Sequence, residues 1–222
     1  MTTRATLEKH LTEIQSDLLV MSSMVTKAIS RSVEALKKRD LAAAQKVIED
    51  DILINRKRFD IEDKCVRLLA TQQPMAGDLR TLVAVLSIII DLERIGDHAE
   101  GIAKITVMIG NEPPLKPLID IPAMAQKATE MLDQSLEAFV NRDEHLARRV
   151  IQRDDEIDAL YDQVFRELIS FMVEDPRTIT RATRLSWVAH NLERIADRVT
   201  NICERVVFLV TGKMEELGAS KY

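Results

Sequence analysis

Turn-forming residues are scarce in this chain. Its 222 residues include only six glycines and six prolines, and aromatic residues make up 4%. With Ala, Leu, Glu, Lys and Arg abundant, this leaves an all-helical reading. No extended basic run occurs, and 36 acidic against 31 basic residues give a net charge of −5. That balance argues against nucleic acid as the main partner. Long apolar runs are missing too. The longest, Leu82–Ile90, is broken by Ser87 and ends at Asp91, well short of the roughly 20 residues that span a bilayer. The opening MTTRATLEKHL has no apolar core of a signal peptide. The expectation is a cytoplasmic protein, at most peripheral to a membrane.

Other absences narrow the chemistry. The two cysteines, Cys65 and Cys203, fall at apolar-face positions and read as small core residues. None of the four histidines, His10, His98, His145 and His190, has an acid three residues before it, so the Glu-x-x-His pairs of di-iron bundles are missing. His98 reads as a solvated side chain. There is no nucleophile–base set, no phosphate-cradling glycine loop and no Cys/His metal spacing. The expectation is a protein without catalytic activity.

What the chain does have is an internal repeat. Asp91–Lys104, DLERIGDHAEGIAK, returns one hundred positions on as Asn191–Glu204, NLERIADRVTNICE. Each copy carries an acidic pair four residues apart, Glu93 with Asp97 and Glu193 with Asp197. Such residues stack on one helix face. Unaided, like charges at this spacing cost about 0.2–0.5 kcal/mol, and more near a buried seam. A sequence that makes this pairing twice calls for a cation, either an Arg or Lys or a metal ion.

The rest of the chain follows the same repeat. A first helix over 6–39 has the stripe Leu7, Leu11, Ile14, Leu18, Met21, Val25, Ala28, Ser32, Ala35, stepping by fours and threes like a coiled coil. Asp40 is the expected N-cap of a second helix to about Gln72. Its apolar seam is broken at Asp51, with Asn55 one turn on. After Pro74, Asp78 is the expected cap of a third helix, which ends at Ile109 before Gly110. Pro113, Pro114 and Pro117 mark a linker over 111–121. Helices over about 122–141, from Asp143 to about Glu174, and to Val210 repeat the pattern. Asp154 and Asp158 match Asp51 and Asn55, and Gly212 is the stop. The predicted fold is thus all-α, a tandem repeat of two three-helix bundles of six long helices. The expected units are residues 1–110 and 122–212, with a frayed tail over 213–222.

Side-by-side packing of helices two and three in each unit would bring Asp51 and Asn55 to Glu93 and Asp97, and Asp154 and Asp158 to Glu193 and Asp197. Asn201 extends the second set by a turn, where the first unit has Gly101. Such all-oxygen sets suit Mg²⁺, Ca²⁺, Mn²⁺ or iron better than zinc or copper. Arg94 and Arg194 follow the two glutamates, either neutralising a carboxylate or facing a partner.

The repeated LERI(G/A)D motif, with Pro74-Met-Ala-Gly-Asp78-Leu-Arg80 ahead of its first copy and Glu174-Asp-Pro-Arg-Thr-Ile ahead of its second, resembles the PhoU family of phosphate-signalling regulators over about residues 6–211. The resemblance implies two similar three-helix bundles and multinuclear metal, iron in some members, on paired E(D)xxxD motifs. Asp51–Asn55 only half matches that motif. It also implies a negative regulator of the phosphate-starvation response, acting between the phosphate ABC transporter, with its ATPase, and a sensor histidine kinase. Two alternatives stand beside it, a carboxylate-bridged metallo-hydrolase or redox enzyme and a metal-free helical scaffold. The heptad-like first helix also suggests a homodimer.

Overall fold

A computed structural model describes residues 3–217. Seven helices follow one another: α1 (Thr3–Lys38), α2 (Leu41–Gln72), α3 (Gly77–Ile109), α4 (Asp120–Asn141), α5 (Glu144–Gln152), α6 (Asp154–Glu174) and α7 (Ile179–Thr211). A 3-10 turn, Pro176–Thr178, leads into α7, and no strand occurs among the described residues. Helices α1, α2 and α3 pack on one another, as do α4, α5, α6 and α7. The two groups join through α3 against α7 and α1 against α4. One apolar core runs through both, from Leu18, Met21 and Ile61 to Leu192, Val199 and Val206.

Two matching corners start the second helix of each group. Arg39 and Arg142 take left-handed backbone angles, φ 57° and 51°. The amides of Asp40 and Asp143 bond back to Ala35 O and Ala138 O, both at 2.9 Å, which closes a Schellman turn on the preceding helix. Each aspartate then caps the next helix: Oδ1 of Asp40 accepts from Ala43 N, and Oδ1 of Asp143 from Leu146 N, both at 2.9 Å. The expected cap at Asp40 is thus present, and Asp143 repeats it. Asp78 behaves otherwise. Ala76 precedes α3 with no side-chain cap, and Asp78 sits within the first turn, where it holds Arg4 at 2.6 Å.

The expected fifth helix is interrupted. At Arg153 the ladder tightens to three-residue bonds, Arg153 N to Val150 O at 3.0 Å and Glu156 N to Arg153 O at 3.1 Å. The Arg153 side chain is drawn to α4, where it donates to Gln134 and Glu130, both at 2.9 Å. Asp50, one hundred and three positions earlier, instead accepts from Arg31 at 2.7 Å in an unbroken helix. The break sets Asp154 at the N-terminus of α6.

Two further expectations change. Helix α4 takes in Asp120 and Ile121 from the expected linker. The linker is tied down by buried Lys116, which pairs with Asp120 and with Glu167 of α6. The tail over 213–217 is not frayed. Leu217 N bonds Glu204 at 2.7 Å, and Glu215 holds Arg148 at 2.8 Å. Residues 218–222 lie outside the described residues.

Candidate functional site

The two acidic motifs occupy two grooves, α2 against α3 and α6 against α7. Gly96 helps to form the first. A Cβ there would stand 3.2 Å from Ile54 Cδ1 and 3.4 Å from Asp51 Oδ1, so the missing side chain lets α2 press close to α3. Buried Ile54 and Ile61 on α2, with Leu92 and Ile95 on α3, hold the pair together.

In the α6–α7 groove, Asp154 and Asp158 face Glu193 and Asp197. Burial, then repulsion from Asp158, Asp197 and Glu193, pushes the Asp154 carboxyl up to about 7. Burial and repulsion from Asp197 and Asp158, eased by Arg194, push Glu193 to about 7 as well. Asp154 Oδ1 and Glu193 Oε2 are both buried without a hydrogen-bond donor. Arg194 Nε at 3.3 Å and His190 Nδ1 at 3.5 Å lie within ion-pair reach of Glu193 Oε2, but out of hydrogen-bonding alignment. Arg194 Nη1 donates to Asp197 Oδ2, at 2.8 Å. Buried oxygens without donors cost about 1–3 kcal/mol each, so this groove holds excess negative charge.

The α2–α3 groove is better neutralised. Asp51 is pushed to about 6 by burial, then by Glu100, Asp97 and Glu93, against a hydrogen bond from Asn55. That bond, Asn55 Nδ2 to Asp51 Oδ2, measures 2.7 Å. Arg94 holds Asp97 at 3.0 Å and Glu93 at 3.5 Å. A second arginine, Arg58, reaches within 3.7 Å of Glu93 from α2. Tyr161 stands at the matching place on α6, uncharged and 6.2 Å from the His190 ring. The grooves therefore differ at two aligned positions, Asn55 against Asp158 and Arg58 against Tyr161, both contrasts present in the aligned repeat.

Asn201 does not extend the second set. Its Nδ2 donates to Asp91 Oδ1 of α3 at 3.3 Å. The reason is angular: each four-residue step turns 40° past a full revolution, so eight residues carry Asn201 from the groove to the α3 side of α7. There, with Arg198 at 3.5 Å, it serves Asp91, which is 8% exposed and pushed upward by burial. The mirror contact is His98 Nδ1 to Asn191 Oδ1 at 3.0 Å. His98 is thus half-buried between the two groups, not solvated, and burial lowers its pKa. Gly101 leaves room for this contact, since a Cβ there would meet Asn191 Oδ1 at 3.0 Å.

Glu100 is the acid that the duplicated motif conceals. It lies seven residues after Glu93, on the same face, and Lys104 holds it at 2.6 Å. Its counterpart is Thr200, so a search for repeated acids passes over it. The cysteines are fully buried and free, and burial pushes the Cys65 thiol to about 12.

Among the described residues, no three histidine, cysteine or acidic side chains converge closely enough to hold a metal ion between them. The donor chemistry of the α6–α7 groove nonetheless fits a hard cation: four carboxylates, two with buried oxygens lacking a donor. The α2–α3 groove fits less well, because Arg58 already brings a charge into it.

Comparison with known proteins places this geometry. The PhoU domain matches residues 18–106 and again 121–206. The chain belongs to the PhoU family. Relatives named "phosphate-specific transport system accessory protein PhoU homolog" include one from Aquifex aeolicus, 42% identical over 206 residues and 93% of each chain. Another, from Clostridium acetobutylicum, is 41% identical over 97% of this chain and 99% of its own. The crystal structure of PhoU from Pseudomonas aeruginosa superposes with a TM-score of 0.88 at 37% identity, covering 93% of this chain and 99% of that one. That of the phosphate transport system regulatory protein PhoU from Streptococcus pneumoniae also scores 0.88, at 32% identity over 95% and 99%. The PhoU repeat thus accounts for both grooves, each built from the second and third helices of its copy.

Proposed function

We propose that this chain regulates phosphate uptake as a binding adaptor without catalysis. It lies on the cytoplasmic side, between the phosphate ABC transporter, through its ATPase, and a sensor histidine kinase. There it holds down the starvation response while phosphate is plentiful. The observation that carries the reading is the match of both repeats to a family whose named members are accessory proteins of phosphate-specific transport. Among the described residues, no helix is long and apolar enough to cross a membrane. The test is a phosphate-responsive promoter reporter in cells lacking the gene. Complementation by this chain should restore repression in high phosphate. Unchanged reporter output with the chain expressed would contradict the reading.

In this reading the grooves hold hard cations, iron or Mn²⁺, Mg²⁺ or Ca²⁺. Asp154, Asp158, Glu193 and Asp197 supply the oxygens of the C-terminal site, and Asp51, Asn55, Glu93 and Asp97 those of the N-terminal one. Bound there, a cation supplies charge that ties α6 to α7 and α2 to α3. The chain's own part is to present buried carboxylates that repel one another until they are neutralised. The placement of Arg94 and Arg194 on the motif carboxylates favours a second reading, in which these arginines alone do the neutralising. Metal content separates the two.

A further inference from the structure

A cavity of about 140 Å³ opens between α1, α2 and α3, with Met24, Ala28, Val47 and Ile54 as its apolar wall. Small residues make the room. Ala28 lines it from α1 and buried Gly96 from α3. Their counterparts in the second repeat are Met131 and Ala196, both fully buried. Asp50, also on the wall, has Arg153 as its counterpart, and Arg153 reaches to Glu130 and Gln134, which match Lys27 and Arg31. The second repeat thus fills with its own side chains the place that the first leaves open.

The charges around the cavity leave one end short of an anion and the other short of a cation. Lys27 is exposed at the mouth and makes no hydrogen bond or ion pair among the described residues. Arg31, one turn on, gives only Nη1, to Asp50 at 2.7 Å. Deeper in lie two half-buried carboxylates, Asp51 and Glu100. Asp51 accepts from Asn55 at 2.7 Å, and Glu100 from Lys104 at 2.6 Å, one donor each where a carboxylate can accept several. We infer that the cavity binds a small aliphatic α-amino acid, with its ammonium inward between Asp51 and Glu100 and its carboxylate outward on Lys27 and Arg31. The ammonium brings three donors, and the aliphatic side chain meets the apolar wall. A lone anion would be repelled by the two inner carboxylates, and a lone cation would gain nothing from Lys27. Size sets the upper limit. A dry cavity of about 150 Å³ admits one benzene, so this one holds about six to eight non-hydrogen atoms, the range from alanine to valine.

This inference goes beyond the regulatory reading, and titration of the full chain with L-alanine and L-valine tests it alone. Binding is followed by NMR in chelator, so that no cation competes for Asp51. Expected is saturable binding of one or both with a Kd of about 1 mM or tighter. Ala28→Met, which gives the first repeat the residue of the second, should weaken it by about tenfold or more, with an unchanged or raised thermal melt. Lys27→Glu, an exposed change, should weaken it by a similar factor. Butylamine and butyrate, which carry one charge each, should bind about tenfold more weakly than the amino acids. A wild type that binds neither amino acid overturns the inference. Binding unmoved by Ala28→Met overturns the cavity as its place, and binding unmoved by Lys27→Glu overturns the outward carboxylate. Butylamine bound as tightly as the amino acids overturns the need for both charges.

Discussion

Asp154→Asn should stabilise the metal-free protein, although it removes a charge. In the folded chain Asp154 titrates at about 7 instead of 3.8. The folded state therefore holds its proton more tightly than the unfolded chain does. No cost exists below 3.8; the cost grows as pH rises and is complete above about 7. Holding the carboxyl at about 7 instead of 3.8 corresponds in full to about 4 kcal/mol. Asp158, Asp197 and Glu193 share that repulsion, and Asp154 is only partly buried, so the recoverable part is smaller, about 1–2 kcal/mol. For a chain of this length that is a rise of about 2–8 °C in Tm. Thermal melts in chelator at pH 8 and pH 4 measure it. The stabilisation should appear at pH 8 and vanish at pH 4. Adding Mn²⁺ or Ca²⁺ at pH 8 should raise the wild-type Tm more than the variant's. A variant less stable than wild type at pH 8 in chelator would refute the reasoning.

Three further outcomes are expected. Tyr161→Arg places in the C-terminal groove the charge that Arg58 supplies in the N-terminal one; by calorimetric titration it should weaken cation binding there by about tenfold or more, and equal affinity in the variant would count against the charge argument. Asn201→Ala leaves buried Asp91 short of a donor and should cost about 1–3 kcal/mol by urea unfolding; in a double-mutant cycle with Asp91→Asn most of that loss should disappear, whereas simple additivity would mean that the two do not interact. Arg39→Gly relieves a left-handed residue and should stabilise the fold by about 0.5–1 kcal/mol, with a lower urea midpoint as the contrary result.

Much of this architecture is legible from one sequence because the chain states it twice. The Arg-Asp corners at 39–40 and 142–143 are short-range chemistry, and both fold as their residues dictate. The apolar seams of α1, α2 and α7 likewise become the core. What escapes the sequence depends on partners far away along the chain. Arg153 breaks its helix while bonded to Glu130 and Gln134 on α4, and no local signal announces that. Asp78 carries the credentials of a cap but meets Arg4, seventy-four residues away.

At the site, four of the expected residues share the α6–α7 groove. Asn201 departs because repetition of a four-residue step drifts around the helix, and a list of spacings does not show the drift. Glu100 was hidden for the opposite reason. Requiring each acid to occur in both copies discards one that only the first copy uses. The antiparallel seam of α3 and α7, where Asp91 meets Asn201 and His98 meets Asn191, became visible only once the two repeats were set side by side in space.

The most direct test of the account is the metal content of protein purified without a metal-binding tag, wild type beside Asp97→Ala and Asp197→Ala. Iron or manganese bound by wild type should fall in both variants, and further in Asp197→Ala, where Tyr161 stands in the place that Arg58 takes in the other groove. A wild type that is metal-free as purified, and still metal-free after reconstitution, would contradict the claim that these grooves hold cations.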